Sequence, residues 1–159
     1  MDQNQPYIFK PRRINKRLLF LKKRLEENMI IDHIGKKIII INDLRYFECL
    51  ILEKHYQGYI IDVKGFINLN RCSLNKLPRI LFNKVTGYFS CAFNNITSLE
   101  YSPKEIGQGF HVNSNKIESL EGCPKRIKKY FFINNNTKDF TIEEIKEHCK
   151  VEGDIVVKT

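Results

Sequence analysis

Residues 89–96, FSCAFNNI, decide the fold, because closely similar stretches follow at equal distances. Twenty-one residues later the chain has FHVNSNKI at 110–117, and twenty-one later again it has FFINNNTK at 131–138. A fixed internal period of this length is the signature of a repeat architecture. The repeat is therefore the first feature that any account of this chain has to explain.

The repeat extends beyond the quoted stretch. Adding 21 preserves the chemical class at seven positions: Phe89, Cys91, Asn94, Ile96, Leu99, Pro103 and Ile106 become Phe110, Val112, Asn115, Ile117, Leu120, Pro124 and Ile127. The third copy keeps the pattern through Asn136 and loses it at Lys138. An earlier copy, at a spacing of 22, consists of Ile67, Leu69, Cys72, Leu74 and Leu77.

This spacing has a physical explanation. Alternate residues of a strand point to the same face, so apolar residues two apart indicate a short strand with one buried side. Where the chain then turns inward, its backbone groups need partners, and an Asn side chain can supply them. We therefore predict a structural series of side chains at the turns, formed by Cys72, Asn94, Asn115 and Asn136.

The template of apolar positions followed by Asn or Cys is that of a leucine-rich repeat. The chain resembles the short bacterial repeats of the IpaH and YopM effector type, and also short phage and viral repeat proteins with units such as SLEGCPK, here residues 119–125. The resemblance covers roughly residues 65–136. It implies a protein-binding solenoid encoded by a virus or mobile element. The effectors' ubiquitin-ligase domain has no counterpart in the sequence, so no catalytic residue carries over.

We therefore predict an α/β fold, a short leucine-rich-repeat-like solenoid of three to four coils with an N-terminal α/β cap and a C-terminal helix-strand cap. Pro103 and Pro124 argue against a helix in the return segments, so an extended return is expected. The predicted divisions are a basic N-terminal arm at 1–13, the N-terminal cap at 14–64, the coils at 65–138 and the C-terminal cap at 139–159.

The flanking segments carry their own signals. Ile14, Leu18, Leu21 and Leu25 have the spacing of a helical stripe. KKIIIIND at 36–43 indicates a buried strand, whereas 43–55 is compatible with a helix or a strand, with the helix favoured. Near the C-terminus, Thr141 and Glu144 predict a capping box, and 154–157 predicts a closing strand.

The charge is unevenly distributed. The chain has a formal charge of +9, and residues 10–24 contain eight basic residues and no acidic residue. Aromatic residues among basic ones can grip nucleic acid, but an extended arm of this kind equally suits an acidic protein surface, and a solvated tail is the third reading. The candidate contacts of this arm are Lys10, Arg12, Arg13, Lys16 and Arg17.

The positions between the repeated ones are expected to form an exposed binding face. They are Phe66, Asn68, Asn70 and Arg71; Tyr88, Ser90, Ala92 and Phe93; Gly109, His111, Asn113 and Ser114; Tyr130, Phe132, Asn134 and Asn135. The predicted partner-binding residues among them are Phe66, Arg71, Tyr88, Phe93, His111, Tyr130 and Phe132. Aromatic anchors with a single formal charge favour a protein partner, acidic or with an exposed apolar anchor. Alternatively, the rings only stabilise one another.

The sequence lacks the motifs of an enzyme, a metal site or a cofactor site, so none of these is expected. The five cysteines are predicted to be reduced thiols, and neither a signal peptide nor a membrane span is predicted. These features favour a reducing compartment, either the host cytoplasm or a virion. The predicted function is a non-enzymatic protein-protein interaction module, encoded by a phage or virus and acting on a host protein. The alternative is a structural component of a viral particle, with the basic arm contacting neighbouring subunits or nucleic acid.

Overall fold

The computed structural model describes residues 12–31 and 34–158. Within them the chain forms three helices, α1 Arg12–Glu27, α2 Tyr46–His55 and α3 Ile142–His148. The strands of the same residues are β1 Met29–Ile31, β2 Lys37–Ile41, β3 Leu44–Arg45, β4 Ile60–Val63, β5 Ile67–Asn68, β6 Leu81–Val85, β7 Phe89–Ser90, β8 Glu105–Ile106, β9 Gly109–His111, β10 Arg126–Ile127, β11 Tyr130–Phe132, β12 Lys150–Val151 and β13 Ile155–Val156.

The strands belong to two sheets, and from β2 onward the chain alternates between them. One sheet has the order β1-β2-β4-β6-β8-β10-β12, and the other has the order β13-β11-β9-β7-β5-β3. In the described residues β1 and β2 pair antiparallel, and the remaining pairs are parallel. The result is a two-sheet α/β fold.

The predicted leucine-rich-repeat-like solenoid of three to four coils with separate caps is therefore wrong. Instead of a closed coil, the structure has two open sheets of mostly parallel strands, in the order given above. The return segments expected to be merely extended contribute strands to one of them, since Glu105 pairs with Arg126 and Ile106 with Ile127. The region predicted as an N-terminal cap contributes β2, β3 and β4 to the same two sheets.

The core lies between the two sheets and follows the period of the sequence. Phe89 pairs with Phe110, and Phe110 pairs with Phe131, so the repeated phenylalanines lie side by side on adjacent strands. Their ring centroids are 5.8 and 5.1 Å apart, and all three side chains are fully buried. From the other sheet Phe82 meets Phe89 edge-on at 6.1 Å. The 21-residue period therefore becomes a continuous file of buried rings.

The Asn side chains connect each turn to the next. The Asn115 amide donates to the carbonyls of Cys91 at 3.0 Å and Val112 at 3.1 Å, and its oxygen accepts from the Ile96 N–H at 3.0 Å. Asn94 and Asn136 make the same kind of bonds one turn before and one turn after. At Cys72 the relation changes, because its own N–H donates to the Asn94 oxygen and its thiol donates to the Asn70 carbonyl.

Several flanking predictions agree with the structure. In α1, Leu21 and Leu25 of the predicted stripe are buried, and the ambiguous segment 43–55 is largely the helix α2. The capping box is confirmed, since Thr141 Oγ1 accepts from the Glu144 N–H at 3.1 Å and the Glu144 carboxylate accepts from the Thr141 N–H at 2.8 Å. The predicted closing strand is confirmed as β13.

We expect the substitution Asn115→Ala to lower the free energy of unfolding by about 3 kcal/mol, because it leaves buried backbone donors and acceptors without partners. Urea unfolding at 25 °C measures this loss. The matched control is Asn95→Ala, which removes the same side chain from an exposed position. The control should change stability by less than about 0.5 kcal/mol. Equal losses in the two variants would show that the side-chain bonds of Asn115 contribute nothing.

Candidate protein-binding face

Four rings form a file across the outer surface of the six-stranded sheet. We call Phe66, Tyr88, His111 and Phe132 the aromatic row. Phe66 and Tyr88 are stacked at 4.9 Å with an interplanar angle of 7°, and Tyr88 is stacked on His111 at 6.0 Å. His111 meets Phe132 edge-on at 4.9 Å. The parallel register sets Phe66 beside Tyr88 and His111 beside Phe132. The contact between Tyr88 and His111 crosses the register, because the residue paired with His111 is Ser90.

His111 can stack on Tyr88 because Gly109, two residues earlier in the same strand, has no side chain. Gly109 stands where the adjacent repeats have Tyr88 and Tyr130. A Cβ atom added to Gly109 would lie 2.6 Å from His111 Nε2, so the imidazole occupies the space above the glycine. Sequence reasoning missed the role of Gly109, although its signal is visible as a glycine between two tyrosines when the repeats are aligned.

Two further rings are the most exposed part of this face. Phe93 is 50% exposed and Tyr130 is 44% exposed, which leaves about half of each ring available for contact. Tyr130 lies 6.2 Å from Phe132 and so extends the aromatic row. Phe93 lies apart from the aromatic row. The guanidinium carbon of Arg71 lies over its ring, 4.7 Å from the ring centroid. This distance fits a cation–π interaction, which fixes the position of the charge.

Arg71 and Phe93 share an unusual backbone conformation. Their φ angles are +55° and +58°, and Ser114 and Asn135 at the equivalent positions both have +56°. A left-handed conformation costs a non-glycine residue roughly 1–2 kcal/mol, so the turn geometry imposes it at each repeat. Backbone bonds hold these residues to the next strand, from Arg71 N–H to Ala92 O at 3.1 Å and from Phe93 N–H to Asn113 O at 3.1 Å.

Some positions predicted to be available on this face are not. Ser90, Ala92 and Asn134 are buried. The Ser90 hydroxyl donates to Asn70 Oδ1 at 2.6 Å, and the Ala92 N–H donates to the same oxygen at 2.8 Å. These contacts make the centre of the face part of the sheet's own packing. Of the seven predicted partner-binding residues, Arg71, Phe93 and Tyr130 are exposed and the four residues of the aromatic row are half-buried.

The described residues of the predicted arm lie in helix α1 and not on the six-stranded sheet. Lys10 and the rest of residues 1–11 lie outside the described residues. Arg12, Arg13, Lys16 and Arg17 belong to helix α1, so the helix begins within the segment predicted as an arm. The Lys16 side chain is exposed. The grouping of the five arm residues as one contact surface stays a prediction.

The reactive side chains are mostly withdrawn from solvent. Cys91 is fully buried, and burial raises the pKa of its thiol above the usual range. Cys123 is half-buried, and its hydrogen bond to Cys149, together with burial, raises the pKa of its thiol. Among residues 12–31 and 34–158, no three His, Cys, Asp or Glu side chains are grouped so that they could hold a metal ion. No helix in this same part of the chain has the length and apolar character needed to cross a membrane.

Comparison with protein-family models, with curated proteins and with solved structures finds no match to this chain. The interpretation of the face therefore depends on its geometry and chemistry. It offers contiguous rings and a positioned guanidinium, which suit apolar contact and hydrogen bonding.

His111 makes the stability of this face dependent on pH. Burial lowers the pKa of His111 from its usual 6.5, so the folded protein favours the neutral imidazole. The free energy of unfolding is therefore highest above pH 6.5, where the imidazole is neutral in both the folded and the unfolded chain. It declines as the pH falls below 6.5, because the unfolded chain takes up the proton first. We expect the urea midpoint to fall between pH 7.5 and pH 5, and to fall less in His111→Phe.

The control for this measurement is His148→Phe, which removes one histidine from the exposed side of α3. Its pH profile should follow that of the unsubstituted protein. If His111→Phe also follows it, the buried imidazole does not determine the acid sensitivity of the fold.

Proposed function

We propose that this chain is a non-enzymatic protein-interaction module that binds its partner through the aromatic row and the adjacent Phe93 and Tyr130. The observation that carries the proposal is a continuous file of contacting rings, stacked from Phe66 to His111, that ends in a half-exposed tyrosine. Large aromatic side chains provide most of the binding energy at protein interfaces, where they are enriched over the rest of the surface.

The packing of the rings supports this use. Phe66 and Tyr88 are already held face to face, and His111 is held between Tyr88 and Phe132. A partner would therefore meet side chains whose conformations are fixed in advance, which lowers the entropy lost on binding. The strands beneath the rings are hydrogen-bonded in register, so the backbone of the face is also fixed before a partner binds.

The charge of the face favours a protein over a nucleic acid backbone. Arg71 is the one formally charged residue among the predicted face positions, and phosphate recognition needs several cations on the contact surface. The Arg71 guanidinium is positioned over Phe93, where it can pair with a carboxylate at the edge of an apolar contact. The partner surface that fits has an apolar centre and an acidic rim, and the charge of +9 would speed its approach.

The experiment uses the double substitution Phe93→Ala and Tyr130→Ala. Both side chains are about half exposed, so their loss should leave the fold intact. Immobilised full-length chain captures partners from lysate, mass spectrometry identifies them, and calorimetry then gives the Kd of the purified partner. We expect the double variant to weaken binding at least about tenfold, since a truncated interface anchor costs more than about 1.4 kcal/mol.

The matched control is Leu19→Ala with Phe20→Ala, two apolar residues on α1 that are 69% and 67% exposed. The control should leave the Kd within about twofold of the unsubstituted value. If the control weakens binding and the double variant of the face does not, the partner binds at α1 and the proposal is wrong. Thermal unfolding of both variants excludes a general loss of structure.

A further inference from the structure

A concave surface lies on the other sheet, where three of its strands begin. The first residues of β2, β4 and β6 are Lys37, Ile60 and Leu81, and these strands are parallel neighbours. Residues 35–36, 57–59 and 80, which precede these strands, line a groove with a volume of about 780 Å³ together with residues 100–104. We call this surface the lysine groove. It does not include any residue of the aromatic row.

The floor and walls of the lysine groove are mostly apolar. Ile80 and Phe82 are buried beneath it, Tyr59 and Tyr101 line its sides, and Leu81 is 49% exposed within it. An exposed leucine in a concave surface is unfavourable in water and gains free energy when a ligand covers it. The groove volume falls within the range of about 300–1,000 Å³ that is typical of small-molecule sites.

The polar groups around the groove are predominantly cationic. Among the described residues that line it, Lys36, Lys37 and Lys104 are cationic and Glu100 is anionic. The Lys37 ammonium lies 3.5 Å from the Tyr59 hydroxyl and 5.3 Å from the centroid of the same ring, which holds it at the wall. Across residues 12–31 and 34–158, neither Lys37 nor Lys104 forms a salt bridge. Within the described residues, these two ammonium groups therefore stand beside an apolar surface with no carboxylate at salt-bridge distance.

The groove is open where its loops turn. Gly35 and Gly58 line it, both with φ of +80°, and a Cβ atom on either would meet no atom of the described residues within 4 Å. The turns therefore leave free space at this side of the groove.

We propose that the lysine groove binds a small anionic molecule with an aromatic or branched apolar body. The apolar wall would cover the body, and either Lys37 or Lys104, which lie on opposite sides of β4 and β6, would pair with the carboxylate, sulfonate or phosphate group. The volume of the groove favours a small molecule, and the excess of lysines over carboxylates in its described lining favours a negatively charged one. This site is separate from the proposed protein-binding face, so either proposal can fail without the other.

The probe is 8-anilinonaphthalene-1-sulfonate, which combines an aromatic body with one fixed negative charge. Calorimetry on the full chain in low salt should give one saturable site. Amide NMR shifts should cluster at Gly35, Gly58 and residues 100–104. N-phenyl-1-naphthylamine has the same body without the sulfonate and should bind at least about tenfold more weakly, because it lacks the charge interaction.

The test variant is Lys37→Glu with Lys104→Glu, two exposed positions whose substitution should not disturb the fold. The matched control is Lys128→Glu with Lys129→Glu, which makes the same change of charge at exposed residues outside the groove. We expect the test variant to weaken binding of the probe at least about tenfold and the control to weaken it less than about threefold.

Four results would overturn the proposal: equal weakening in the test variant and the control, NMR shifts at the aromatic row or α1 instead of the groove, equal affinity for the uncharged analogue, or no saturable binding. A fifth result would reassign the groove. If a glutamate-rich peptide displaces the probe more effectively than naphthalene-2-sulfonate does, the occupant is an acidic segment of a protein and not a small molecule. Unchanged thermal unfolding of the lysine variants keeps all of these outcomes interpretable.

Discussion

The buried amide of one asparagine per repeat is the interaction on which the rest of the structure depends. Each turn between the two sheets brings backbone groups into an apolar interior, where an unpaired group costs about 1–3 kcal/mol. Asn115 resolves this by bonding to carbonyls of its own turn and the preceding one, and to the N–H of Ile96. Because Asn94 and Asn136 do the same, the turns are held at one spacing, and that spacing fixes the register of the strands on both sides.

The aromatic row is a consequence of that register. Once equivalent residues lie side by side, a ring in one repeat has a ring beside it in the next, as in the stacked pair Phe66 and Tyr88. The one interruption, Gly109, is filled by the imidazole of His111 from the neighbouring position. The face is thus a product of the same periodicity that builds the core, with one local substitution that also introduces a titratable group into the stack.

The sequence predicted those features that depend on local spacing. The stripe through Leu21 and Leu25, the capping box at Thr141 and the burial of the repeated phenylalanines all belong to this class. The predicted fold class was wrong because the seven-stranded sheet is made partly of two-residue strands such as Glu105–Ile106, which are too short to show a period. The burial of Ser90 accompanies its hydrogen bond to Asn70, twenty residues earlier in the chain. The lysine groove combines residues near positions 35, 58 and 101. Spacing along the chain predicts neither feature, because both depend on contacts between distant residues.

The two candidate surfaces differ in the physical force that would hold a ligand on each of them. The aromatic row offers contact area with little charge, so its binding would come from apolar burial and respond weakly to salt. The lysine groove places the ammonium groups of Lys37 and Lys104, which form no salt bridge within the described residues, beside an apolar wall. Its binding would therefore decline as ionic strength screens them. Phe82 lies at the floor of the groove and contacts Phe89 in the core, whereas the aromatic row lies on the opposite face of the sheet that carries Phe89. Since a close-packed interior separates them, each surface can be altered by substitution of its exposed residues without disturbing the other.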